Sequence, residues 1–287
     1  MNDHYLKRTR LQDKMFRYRA LACTLVALVV LALLLWDILS RGLGRLSWSF
    51  LDSLPSRHAE KAGILTALAG MISLLLFTVI VSLPVGIMAG IYLEEYGKRN
   101  WFAKFVEINI SNLAGVPSII YGILGLQVFV RMAGLGNSLL AGAFTLSLLI
   151  MPIIIVATRE AVKAVPSSLK EASYGMGATK WQTIRRVVLP SALGGILTGI
   201  ILAISRAVGE TAPLLVIGAL TYVPFIPEGP MDQFTTLPIQ VFNWTTRPQA
   251  AFVVNAAAGI IILLLVTFLL NAIAIYIRNR WYKKIRY

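Results

Sequence analysis

The chain has 287 residues, of which 57% are hydrophobic and only 14% are charged. This balance excludes an ordinary water-soluble domain, in which about a quarter of the residues are charged. The net charge of +14 would also fit a nucleic-acid partner, so the position of the basic residues decides what the charge means.

Six apolar runs are long enough to cross a membrane, because a bilayer core about 30 Å thick requires about 20 residues of helix. The runs are residues 20–36, 64–93, 108–130, 139–158, 187–220 and 250–277. The first run is the shortest and follows a basic leader, as a signal peptide would, but no small-residue cleavage site follows it and a retained anchor is favoured. We therefore predict an all-α integral membrane protein with six transmembrane helices. Residues 1–63 would hold the leader, first helix and outside loop, and residues 64–287 a five-helix core.

The basic residues are concentrated in the terminal segments and in every second loop, which lie on the same side of the membrane. Of the 27 lysines and arginines, 20 lie before the first run, between the second and third, between the fourth and fifth, or after the sixth. The positive-inside rule therefore places both termini and the loop 159–186 in the cytoplasm. The charge is mainly a signal of membrane topology, and no nucleic-acid partner is expected.

Glycine and proline interrupt the second and third spans. Pro84, Gly86 and Gly90 lie in the second span, and Pro117 and Gly125 lie in the third. In membrane helices such residues mark bends or close helix crossings. Both spans are therefore predicted to bend or to pack closely on a neighbour.

The fifth span and the loop after it carry weaker signals. Gly199 and Ala203, four residues apart, form a small-residue pair that helps helices to pack in lipid. The outside loop 221–248 holds five of the twelve prolines together with several aromatic residues. It fits a segment that closes the outer mouth of a pathway, a partner-binding loop, or an interfacial segment that dips into the headgroups.

The loop 159–186 is polar and basic although it joins two apolar spans. Ser168 and Glu171 have the spacing of a capping box, which predicts a helix start. Gly175 and Gly177 allow the positive φ that ends such a helix, and Thr179 begins a second capping box with the glutamine three residues later. The residues alone fit a membrane-surface connector as well as a partner-docking element.

Two charged residues lie inside an apolar span. Arg206 and Glu210 are four residues apart in the fifth span, so that they share a helix face and can pair. A charge in the centre of a membrane helix costs at least about 2.5 kcal/mol on insertion scales and often marks a substrate route. Arginine suits an oxyanion because its planar fork donates paired hydrogen bonds, and Thr211 adds a hydroxyl beside it. A purely structural salt bridge stays open.

The sequence contains no phosphate-binding loop, no zinc-protease motif and no Cys/His cluster with metal spacing. It therefore predicts no cofactor in this chain and no catalytic activity of its own. Any energy from ATP must come from a partner.

The loop 159–186 resembles the EAA motif of membrane subunits of ATP-binding-cassette importers. Glu171 and Ala172 are followed by Gly177 at the family's spacing, and Val-Leu-Pro follows at 188–190, while Ser173 replaces the second alanine of the motif. The resemblance implies the type I importer permease fold. It also implies that a coupling helix, including Thr179, docks on a cytoplasmic ATPase dimer that binds ATP and magnesium.

The stretches "AGVPSIIYG", "EASYGMGATKWQT" and "RAVGETAPLL" resemble the phosphate-specific branch of these importers, and its PstA-type more than its PstC-type permease. This resemblance implies import of inorganic phosphate through a pathway lined by Arg206, Glu210 and Thr211. The implied partners are a PstC-type permease, the ATPase dimer, an extracytoplasmic phosphate-binding protein and membrane lipid.

Without the resemblance, the charged residues of the fifth span predict only that the substrate is an anion. An importer of the same architecture for molybdate or sulfate is one rival. A secondary transporter or channel that works alone, with Glu210 as a proton site, is another. A membrane-embedded enzyme is disfavoured because intramembrane nucleophiles, metal ligands and paired carboxylates are nearly absent.

Overall fold

The computed structural model describes residues 3–97, 101–219 and 222–285, in which the regular secondary structure is helical and no strand occurs. Five of the helices are long and apolar enough to cross a membrane, and a sixth span results if one bent helix pair counts as a unit. The helices are α1 (Asp3–Gly42), α2 (Trp48–Asp52), α3 (Leu65–Glu95), α4 (Trp101–Leu113), α5 (Ser118–Gly125), α6 (Leu139–Lys163), α7 (Ser167–Gly175), α8 (Lys180–Thr183), α9 (Leu189–Gly209), α10 (Ala212–Val216), α11 (Leu237–Thr245) and α12 (Ala250–Ile285).

Helices α3, α6 and α9 form the centre of the bundle, with α6 packed between the other two. Small residues allow the backbones to approach closely, as predicted for the second span. A Cβ atom on Gly90 would lie 2.7 Å from Cβ of Thr158, and one on Gly199 would lie 2.1 Å from Cβ of Ala157. Because a lipid solvent provides no hydrophobic drive between helices, such close packing is what holds them together.

The predicted third span is broken into two helices. The pair α4 and α5, the latter continued by a π-helical segment over Leu126–Met132, bends by 110°. The break lies at residues 114–117 and ends at Pro117, which has no backbone N–H and restricts the residue before it. Helix α5 then packs on α6 and α10, where a Cβ on Gly125 would meet the side chain of Thr145.

The first helix lies at the edge of the bundle. No residue in the most apolar part of α1 is buried. Its most extensive long-range contact is with α12, where Gly42 lies against the backbone of Ala257 and Ala258. Helix α1 is therefore an attached anchor that leaves most of its apolar surface open to lipid or to another subunit.

The loop between α10 and α11 enters the core. Residues 234–240 are buried, and Phe234 packs against Leu74 of α3 and Gly142 of α6. The carbonyl of Thr235 lies so close to Gly70 that no side chain would fit there. These buried residues form part of the core at one end of the bundle, and the three roles predicted for loop 221–248 stay predictions; Thr221 itself lies outside the described residues. We call this end the α11 end and the opposite one the α7 end.

Arg45 connects several segments at the α11 end through hydrogen bonds. Nη2 of Arg45 donates to the carbonyls of Ala59, Glu60 and Ala62 at 2.7–3.2 Å. Its Nε donates to Oδ1 of Asn255 on α12 at 2.9 Å, and Asn255 donates in turn to Ala59. The segment before α3 is thereby tied to α12.

Candidate functional site

The predicted intramembrane ion pair forms at the end of α9. Nε of Arg206 lies 3.2 Å from Oε1 of Glu210, and the two side chains are 39% and 15% exposed. The pairing across one helical turn is confirmed. The predicted continuous span 187–220 is wrong, because α9 ends at Gly209 and Glu210 has extended backbone.

The chain resumes after this break as the short helix α10. Thr211 precedes α10, and its hydroxyl donates to the carbonyl of Gly209 at 3.4 Å. Pro213 occupies the first turn of α10, where its missing N–H is tolerated. Arg206, Glu210 and Thr211 therefore lie together at a helix break, as the sequence placed them, although not on one uninterrupted helix.

The break in the third span lies beside this pair. Val116 and Tyr121, on either side of the start of α5, pack in the same cluster as Ala203 and Ala207 of α9. The hydroxyl of Tyr121 donates to the carbonyl of Leu113 at 2.8 Å and so connects α5 to the end of α4. Residues 111–115 are exposed. Two stretches of irregular backbone thus flank the arginine.

Close packing fixes the two breaks relative to each other. Helices α5 and α10 are in extensive contact. A Cβ on Gly122 of α5 would lie 2.7 Å from Cα of Pro213 and 2.9 Å from Cβ of Val216. Gly122 is therefore needed for this close contact between α5 and α10.

The second predicted site is the loop that follows α6. Helix α6 continues through Lys163, so the connecting part is residues 164–183, which we call the α7–α8 loop. Gly177 has φ of +81° and ends α7, and the capping box that begins at Thr179 is formed in full; both predictions are confirmed. Gly175 is instead the last helical residue of α7.

The first predicted capping box is wrong. Helix α7 begins at Ser167, two residues earlier than the pattern indicates, and Pro166 is its N-cap without a side-chain hydrogen bond. Proline presets a φ suited to the start of a helix. Ser168 therefore already lies inside the helix, and Glu171 has no capping role.

The motif residues of the α7–α8 loop divide into exposed and buried positions. Glu171 and Ala172 are exposed. Ser173 is buried, and its hydroxyl lies 2.9 Å from that of Thr183, also buried, at the end of α8. Ser173 thus braces the two helices of the loop against each other, whereas Glu171 and Ala172 are free to meet another protein.

The sequence reasoning missed a group of charges at the α7 end. Nζ of Lys170 in α7 lies 2.5 Å from Oε1 of Glu95, the last residue of α3. Next to it, Glu94 pairs with Arg159 of α6 at 3.4 Å, and Arg159 pairs with Glu107 of α4 at 2.5 Å. Two adjacent carboxylates at the end of an apolar run, facing a basic loop, were the available signal. Among the described residues, no group of His, Cys, Asp and Glu could hold a metal ion.

Comparison with known proteins gives a consistent family. The family model described as "Binding-protein-dependent transport system inner membrane component" matches residues 82–284. The probable ABC transporter permease protein YqgI of Bacillus subtilis is 31% identical, with 92% of this chain and 94% of that protein covered. The phosphate transport system permease protein PstA of Yersinia pestis is 35% identical, with 89% and 86% covered.

The fold has counterparts among solved structures. A chain of the MetNI methionine ABC transporter in an inward-facing conformation superposes with a TM-score of 0.59 at 22% identity, covering 76% of this chain and 94% of that chain. A chain of a bacterial ABC transporter for the polysaccharide alginate gives 0.57 at 14% identity, covering 78% and 80%. The predicted fold class, an all-α permease of the type I importer kind, is confirmed.

Proposed function

Because this chain belongs to the family of inner membrane components of binding-protein-dependent transport systems, we propose that it is the permease subunit of an ATP-driven importer of inorganic phosphate. It contributes half of the pathway and hydrolyses no ATP. A PstC-type permease completes the pathway, an ATPase dimer binds ATP and magnesium, and an extracytoplasmic binding protein delivers phosphate. The α7 end faces the cytoplasm, together with both termini.

The observation that carries this proposal is the setting of Arg206. Its side chain is 39% exposed near the end of a spanning helix and has one anionic partner, Glu210. A half-exposed guanidinium is costly against lipid, so it faces water or another protein. The exposed irregular backbone at residues 114 and 115 must also face protein or water, because such backbone is tolerated at membrane depth only within protein or beside a water-filled cavity.

This setting suits an oxyanion that arrives and leaves. The guanidinium offers several N–H donors, and its contact with Glu210 uses Nε. Glu210 holds the side chain in place in the empty pathway and is displaced when phosphate oxygens take the donors. The choice of phosphate over another oxyanion is supported by similarity to the PstA protein of Yersinia pestis.

The exposed face of α7 is the ATPase contact. Glu171 and Ala172 form its centre, and Gly177 and Thr179 set the direction of the turn and of α8. Ser173 acts from within the loop through Thr183. Closure of the ATPase dimer displaces α7, and α9 carries this displacement toward Arg206.

The test uses the complete complex in proteoliposomes with Arg206→Gln, Arg206→Lys and, as a matched control, Arg131→Gln. Arg131 is an exposed arginine at the end of the π-helical segment, away from the pair. A charge-assisted hydrogen bond contributes about 1.5–3 kcal/mol, so loss of one such bond should lower phosphate uptake by roughly 10- to 150-fold. Assembly and basal ATP hydrolysis should be kept, and Arg131→Gln should transport normally.

Arg206→Lys tests whether positive charge alone is sufficient for transport, because lysine keeps the charge but lacks the planar guanidinium that donates paired hydrogen bonds. Competition by molybdate and sulfate in the same vesicles tests the substrate. Normal uptake by an assembled Arg206→Gln complex would make the ion pair structural and refute the pathway assignment.

A further inference from the structure

We propose that the last turn of α3 is a second attachment point of the α7–α8 loop, with Glu95 as the positioning residue. Displacement of the loop then moves α3 directly, in addition to α9. The inference rests on the proposed function, because it describes how ATPase closure reaches the membrane helices.

The first contact is the pair between Glu95 and Lys170. Their side chains are only 8% and 15% exposed, and the charged atoms are 2.5 Å apart. Water screens such a pair far less than it screens a surface pair. Removing one partner leaves a charge that is mostly buried and unpaired, which is strongly unfavourable. The contact therefore resists separation while the loop moves.

The second contact comes from α8. Nζ of Lys180 donates to the backbone carbonyl of Glu95 and lies 4.1 Å from the ring centroid of Tyr96, the residue that follows α3. Lysines from both helices of the loop thus hold the same turn of α3. Two attachment points fix the orientation of the loop as well as its distance.

The covalent connections of the loop differ at its two ends. Pro166 at the start of α7 and the turn at Gly177 separate the helices. A π-helical segment, Ile184–Val188, joins α8 to α9, and such segments frequently occur at functional sites. Attachment to α3 therefore gives the loop a contact with the bundle that is separate from its covalent helical connection to α9.

Neighbouring ion pairs extend the attachment to two more helices. Glu94 contacts Arg159 of α6, and Arg159 contacts Glu107 of α4. Helix α4 leads to the break at residues 114–117, after which α5 packs on α10, the short helix that follows Arg206 and Glu210 in the chain. Movement of α3 therefore has a contiguous physical route to both sides of the proposed pathway.

The test compares Glu95→Gln, Lys170→Met and the double variant in the complete complex. The matched control is Glu160→Gln, which removes an ion pair at the same end of the bundle, 3.7 Å from Lys163, where both side chains are 57% exposed. Phosphate uptake per ATP hydrolysed is the readout, because a merely structural loss lowers uptake and hydrolysis together. Each single variant should lower this ratio at least about fivefold, the lower end of typical coupling between sites.

The double variant should lose no more than either single variant, since the two residues act as one contact. Glu160→Gln should keep the wild-type ratio. An unchanged ratio in Glu95→Gln, or additive losses in the double variant, would overturn the proposal.

A second measurement does not depend on phosphate. Spin labels at Met88 of α3 and Ser167 of α7, in a Cys23→Ser background, report the distance between α3 and the loop before and after ATP is trapped in the complex. This distance should stay constant with Glu95 and Lys170 present and change in the double variant. A change of equal size in both would refute the attachment. A wild-type complex that keeps the distance but takes up no phosphate would refute the proposed function alone.

Discussion

Replacing Gly199 with alanine tests how closely α6 and α9 must pack. A Cβ atom at this position would lie 2.1 Å from Cβ of Ala157. Carbon atoms in van der Waals contact are about 3.5–4.0 Å apart, so the helices would have to separate locally by roughly 1.5 Å. Because α6 also packs on α3, this separation disturbs the centre of the bundle.

Two opposing terms set the size of the effect. Inserting a methyl group into a well-packed core costs about 1–3 kcal/mol. Alanine recovers up to about 1 kcal/mol because it is the better helix former. We expect a net loss of about 1–2 kcal/mol, which at roughly 2–4 °C per kcal/mol corresponds to a Tm lower by about 2–8 °C.

The assay is thermal unfolding of the purified complex, with two reference variants. Gly209→Ala adds a methyl group to the same helix where nothing lies within 4 Å, so Tm should not fall. The double change Ala157→Gly with Gly199→Ala moves the methyl group to the other helix and should recover most of the loss. Equal Tm values for Gly199→Ala and Gly209→Ala would show that the contact is not tight, and the packing argument would fail.

Three further substitutions probe the two ends of the bundle. Gly177→Ala, at φ of +81° with open space around it, should cost about 1–2 kcal/mol of backbone strain and lower uptake per ATP, whereas Gly175→Ala, inside α7, should not. Arg45→Met removes charge-assisted bonds to three carbonyls and should lower the free energy of unfolding by about 1.5–3 kcal/mol, measured by denaturant titration. Asp232→Ala frees the amides of residues 228 and 229, each 2.8 Å from its carboxylate, and should speed hydrogen exchange there; unchanged exchange would count against this role.

Local signals in the sequence predicted most of the helices. Long apolar runs gave the spans, and Thr179 and Gly177 marked where α7 stops and α8 starts, because capping and positive φ are decided by a few neighbouring residues. The same reasoning failed at Ser168, where Pro166 had already started the helix. Two starting signals within three residues compete, and the sequence does not rank them.

Contacts between residues far apart in the sequence could not be predicted from local patterns. Arg206 and Glu210 were predictable because they lie one turn apart. Glu95 and Lys170 are 75 residues apart, and no local pattern couples them. The end of α9 at Gly209 was also missed, because Glu210 and Thr211 are flanked by apolar residues on both sides. The boundary predicted at residue 63 between leader and core stays a prediction.

The buried segment 234–240 has a consequence for how the chain is made. It is synthesised after α3 and α6, yet Phe234 fills the space between them. Trp244, which follows it, lies against Phe50 and packs on α12, where a Cβ atom on Gly259 would lie 3.4 Å from its ring. A nascent chain that stops before α12 therefore leaves Trp244 uncovered. We therefore expect the packing around Phe50 to reach its final form only after α12 is in place, and a chain truncated before α12 to expose Trp244.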